Sequence, residues 1–204
     1  MARLAEGLVT PYHGCAILSG AALALSLVWP EAAPTSEVGA FVRGPFFPGA
    51  LAFLLGILAL QVGEAERGHG AYPPLPRVGR LAAHVALGVA LVLPFLLVHR
   101  VEAGVPWAAL GGLLAFLLLY GLFWGLAGYG ISAAVHWPGL RFALKYGSYL
   151  VVAFAFPTLT ALSPFPAVGE LWGQAGWRGV LVYGALDLAV VGVWVWLDRR
   201  SSAG

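Results

Sequence analysis

Six apolar runs, each near the length of a bilayer crossing, leave this chain little choice of fold class. They are Leu8–Trp29, Pro45–Val62, Leu81–Val98, Pro106–Ala134, Leu140–Leu162 and Gly179–Leu197. A hydrocarbon core about 30 Å thick takes roughly 20 apolar residues per helix. Backbone polar groups find no water there, so each segment must satisfy its own hydrogen bonds, as a helix does. Composition agrees, with 60% hydrophobic and only 10% charged residues, against about a quarter charged in a soluble domain. The expectation is an all-α integral membrane protein with six transmembrane helices, a single domain over residues 1–204. A net charge of +2 is too small to argue for nucleic acid as a partner; the partner implied throughout is the lipid bilayer. Cys15 is the one cysteine, so no internal disulfide can form. The first run contains proline and glycine and is long for a signal peptide, which favours a retained span.

Basic residues set the expected orientation. With the N-terminus inside, Arg3, Arg67, Arg77, Arg80, Arg141, Lys145, Arg199 and Arg200 fall on the inner side, and Arg43, Arg100 and Arg178 on the outer. This split predicts both termini in the cytoplasm of a multi-pass protein of the cell membrane. Trp29, Trp107, Trp137, Trp172 and Trp177 all fall near predicted span ends, where interfacial aromatics belong.

Residues 63–80 then form a cytoplasmic loop between spans two and three. Gly68, Gly70 and the Pro73-Pro74-x-Pro76 cluster turn the chain, and the segment carries two carboxylates, Glu64 and Glu66, ahead of Arg67. A loop needed only for its positive charge has no use for those carboxylates.

The pattern E-x-E-R-G at Glu64–Gly68, followed by L-P-R at Leu75–Arg77 and a span opening at Leu81, resembles the permease subunits of type-2 ABC transporters. The glycine-rich LLLYGLFWGLAGYGISAAV (Leu117–Val135) and the proline-bearing FPTLTALSPFPAVGELWG (Phe156–Gly173) are similar to that family's fourth span and its outer segment before the last span. Six-span chains of this length also resemble the haem-exporter permease of cytochrome c maturation. The resemblance implies an ABC-type exporter moving a small or lipophilic substrate, with energy from a separate cytoplasmic ATP-binding subunit and with a second permease copy or sister subunit. It also implies that Glu64, Glu66, Arg67, Gly68, Pro76 and Arg77 form the ATPase-coupling loop. The chain departs from the family in having about seven residues before the first span, and in placing two glycines and three prolines within Gly68–Pro76.

A permease should look catalytically empty, and this chain does. It lacks the phosphate-cradling G-x-x-x-x-G-K-[ST] loop, a His-Glu-x-x-His pair and a G-x-S-x-G elbow, so no catalytic residue, metal or cofactor is expected.

Three further sets of residues carry expectations. Gly121, Gly125 and Gly128 share a helical face, where small residues let backbones approach in lipid; they predict either packing within the chain or a dimer seam. Asp187 is the carboxylate deepest in a span, about eight residues into the sixth. Ionisable groups there are costly, which points either to the translocation path or to a structural carboxyl bonded to Tyr183, Tyr149 or a polar group of another helix. His13 and His84 fall at similar depth from the inner side, as two axial ligands of a b-type haem would. They support an alternative class of function, the haem b anchor of a respiratory redox enzyme. His69, His99 and His136 lie in loops or at span ends, where solvation is expected.

Overall fold

Proline and glycine punctuate the apolar runs, and the helices begin and end at them. The computed structural model describes residues 2–32, 42–69, 73–155, 162–174 and 176–201. Within these, α1 (Ala2–Ala32) is followed by a π-helical turn (Val42–Phe46) leading into α2 (Phe47–Glu66). A 3-10 turn (Arg67–His69) leads on to α3 (Pro74–Ala103), then α4 (Trp107–Ala134) and α5 (Pro138–Leu150). A second π-turn (Val151–Ala155), α6 (Pro164–Gln174) and α7 (Arg178–Ser201) complete the chain. Pro74, Pro138 and Pro164 each open a helix, where a missing N–H costs nothing. Gly104, at φ 64°, ends α3 in the left-handed conformation that glycine adopts without strain. No strand occurs among the described residues.

Four helices are long and apolar enough to cross a membrane: Gly44–Glu66, Pro74–Ala103, Trp107–Ala134 and Arg178–Trp196. They match expected spans two, three, four and six. In α1 the apolar stretch among the described residues is shorter, Tyr12–Val28. The fifth run divides into α5 and the π-turn; residues 156–161, with Pro157 among them, lie outside the described residues. The expected loop at 63–80 is shorter than its sequence range. Glu64 and Glu66 belong to the last turn of α2, and Pro76, Arg77 and Arg80 to the first turns of α3.

α2 and α4 form the centre, with 67% and 61% of their apolar windows buried against 33% for α3 and 17% for α7. Glycine makes that centre possible. A Cβ on Gly63 would collide with the backbone of Gly125 and Tyr129, and one on Gly128 would stand 2.5 Å from the Leu60 carbonyl oxygen. One on Gly121 would meet Val85 of α3 at 2.6 Å, whereas Gly125 has room for one. The glycine face is thus consumed by α2 and α3 of the same chain, the small-residue packing that joins helices in lipid. Gly121 and Gly128 therefore pack within the chain, against Val85 and Leu60.

The outer surface is apolar. Ile17 of α1, Leu87 and Val101 of α3, and Leu181, Leu188 and Val193 of α7 are all more than half exposed. α5 is arranged inside out: Trp137 at its start, Phe142 and Leu150 face outward while Lys145 and Tyr149 are buried. A helix that hides its charges and shows its apolar face is suited to lipid, not water.

Candidate functional site

Two polar layers lie inside the helices. The first sits where α2 ends and α3 and α5 begin. Glu64 accepts a hydrogen bond from the Lys145 ammonium and pairs with Nε of Arg141 at 3.0 Å. Glu66, almost fully buried, pairs with Arg80 at 3.1 Å. The Arg77 guanidinium donates to the Tyr129 hydroxyl and stacks over the rings of Tyr129 and Trp194, 4.4 and 5.5 Å from their centres. These contacts put the Glu64–Arg80 region and the start of α5 on the same side of the molecule, as the sequence-based topology requires. They also show what the carboxylates do: both are neutralised from within the chain. Among the described residues of this turn, Arg67, Gly68, Pro73, Leu75 and Pro76 are exposed.

The second layer lies deeper, at the contact of α2, α4, α5 and α7. Tyr120, Tyr149 and Tyr183 are fully buried there. Tyr120 donates to the Tyr149 hydroxyl at 3.0 Å, and Tyr149 to the Phe53 carbonyl at 2.6 Å. Gly56 leaves the space that the Tyr149 hydroxyl occupies. Tyr183 donates at 2.6 Å to the carbonyl of Leu162, which lies in the non-helical turn before α6, where backbone acceptors lack helical donors. The rings lock the layer, with Tyr183 edge-on to Tyr120 at 5.0 Å and Trp124 edge-on to Tyr149 at 4.7 Å.

Asp187 stands one helical turn from Tyr183. It is 5% exposed, and neither carboxylate oxygen has a hydrogen-bond partner among the described residues. The expected bond from Tyr183 or Tyr149 is absent, because both phenols give their protons to backbone carbonyls. Buried polar groups are almost always bonded, so a carboxyl with both oxygens unbonded among the described residues is a costly group.

The histidines divide differently from expectation. Tyr12, not its neighbour His13, faces His84: its hydroxyl lies 2.9 Å from His84 Nδ1 and the rings stack at 6.4 Å. His13 is exposed. Successive helical residues point in different directions, so a Tyr12–His84 contact turns His13 away. His99 is buried, contrary to the solvated position expected, with Nε2 3.2 Å from the Gly44 carbonyl and the ring against Phe47 and Trp172. Trp172 is likewise buried, while Trp107, Trp137 and Trp177 are exposed. No cluster of three or more His, Cys, Asp or Glu side chains suited to a metal occurs among the described residues.

Sequence reasoning overlooked Tyr120 and the inward stripe of α5. The stripe was visible as spacing: Arg141, Lys145 and Tyr149 recur every four residues and so share one face. Comparison with family models, with curated proteins and with solved structures yields no match for this chain.

Proposed function

We propose that this chain is the membrane-spanning permease subunit of an ABC-type exporter. It has six spans and both termini in the cytoplasm, and moves a small or lipophilic substrate with energy from a separate ATPase. The observation that carries the reading is Asp187, a buried carboxyl without a hydrogen-bond partner among the described residues, in a helix long enough to cross the membrane. A group so costly in that setting is a functional residue by default; here it lies on the translocation path, flanked by the tyrosine layer. The exposed turn at Arg67, Gly68, Leu75 and Pro76 supports a docking role for the cytoplasmic partner. Glu64, Glu66 and Arg77 brace that turn from behind. A second permease copy would use a surface other than the glycine face.

Asp187→Asn tests the reading, since it keeps shape and removes the carboxylate. The variant should fold and assemble with the ATPase, yet lower ATP hydrolysis coupled to transport in reconstituted vesicles. Wild-type coupled hydrolysis in Asp187→Asn, or loss of folded protein, would overturn the role on the path.

A further inference from the structure

The two cations on Glu64 enclose more than an ion pair. A cavity of about 230 Å³ is lined by Glu64, Pro138, Arg141, Phe142, Lys145 and Tyr146. Two cations face one carboxylate there, which leaves one positive charge uncompensated among the described residues. Lys145 is 2% exposed and Arg141 20%, so water neutralises little of it, and uncompensated charge in such a setting is expensive. Arg141 approaches Glu64 through Nε, which leaves the outer edge of its guanidinium for a ligand. The two terminal nitrogens of that edge can grip phosphate or carboxylate oxygens end-on, with two parallel hydrogen bonds. Lys145 is held over the Tyr146 ring, 4.8 Å from its centre, and Tyr146 adds a hydroxyl to the lining. Phe142, 64% exposed, packs on Tyr146 at 4.7 Å and forms an apolar rim. Trp137, 70% exposed at the start of α5, marks the depth at which interfacial aromatics and lipid headgroups meet.

We propose that this cavity is a binding site for one phosphate-type oxyanion, held by Arg141 and Lys145 with Glu64 as the brace that keeps the cations together. The proposal is independent of the transport reading. The same chemistry is offered by the headgroup of an anionic phospholipid, its chains lying along the outward apolar face of α5, and by free phosphate.

The purified full chain, in nanodiscs of phosphatidylcholine with phosphatidylglycerol, is examined by native mass spectrometry for retained lipid. In detergent, its thermal stability is followed against inorganic phosphate, with chloride as control. Selective retention of phosphatidylglycerol without a phosphate response identifies the lipid as the source, and stabilisation by phosphate identifies the free anion; either supports the site. Arg141→Gln, which neutralises the cavity, should weaken binding on the order of tenfold, the loss of one charge-assisted contact. Glu64→Gln, whose amide oxygen still accepts from Arg141 and Lys145 while the countercharge is lost, should tighten it, and this variant decides the matter should Arg141→Gln fail to assemble. Neither lipid selectivity nor phosphate stabilisation in the wild type, or equal binding in both variants, would overturn the proposal.

Discussion

Glu64 and Lys145, 81 positions apart in the chain, share an ion pair that fastens the middle of α5 to the end of α2. Lys145 is almost fully buried while Glu64 is 36% exposed, so the ammonium depends on the carboxylate more than the reverse. Breaking a fully buried pair costs about 3–5 kcal/mol. Partial exposure of Glu64 reduces this, and Glu64→Ala should destabilise the protein by about 2 kcal/mol. Unfolding monitored in detergent would show it. The double replacement Glu64→Gln with Lys145→Met should recover part of the loss, because the buried ammonium is gone and only the more exposed Arg141 is left without its carboxylate.

Close approach of α2 and α4 rests on Gly63. Gly63→Ala forces a methyl into the backbone of Gly125 and Tyr129, atoms that cannot turn aside as a side chain would. The expected cost is about 3 kcal/mol, the upper part of the range for overpacking. Gly192→Ala, within α7 where a Cβ meets nothing within 4 Å, should keep stability or raise it by up to about 1 kcal/mol in the same assay. Equal behaviour of the two variants would refute the glycine-mediated contact.

Orientation is open to direct measurement. Reporters placed at Gly70 and after Gly204 should read cytoplasmic, and reporters at Thr35 and Gly173 external. An external reading at Gly70 would remove the docking turn from the side where an ATPase works.

The two classes of function separate by light absorption. A haem b anchor held by His13 and His84 would show a Soret band lost in His84→Ala. With His84 against Tyr12 and His13 exposed, the purified chain should show none. A Soret band abolished by that substitution would favour the redox subunit.

Four crossings were legible because bilayer thickness prescribes length, and no partner is needed to read length. Glycine spacing was legible as a face, yet which neighbour occupied it was not: Leu60 and Val85 come from helices whose pairing is a tertiary fact. Glu64 and Glu66 could be recognised as out of place in a basic loop. Their assignment to α5 and Arg80 could not be derived, since nothing local links Glu64 to Lys145. Asp187 stood out by its depth alone, but the absence of a partner depends on where the Tyr149 and Tyr183 hydroxyls point. Those directions are set by the Phe53 and Leu162 carbonyls, which sequence patterns do not reveal.

The permease reading stands or falls most directly on affinity purification of the full chain from its native membranes in mild detergent. The eluate is examined by mass spectrometry and for ATP hydrolysis. A soluble subunit carrying the phosphate-binding loop should accompany the chain, and Leu75→Asp with Arg67→Ala, both at the exposed turn, should release it while the membrane protein stays folded. Recovery of the folded chain without any ATP-hydrolysing subunit would contradict the assignment.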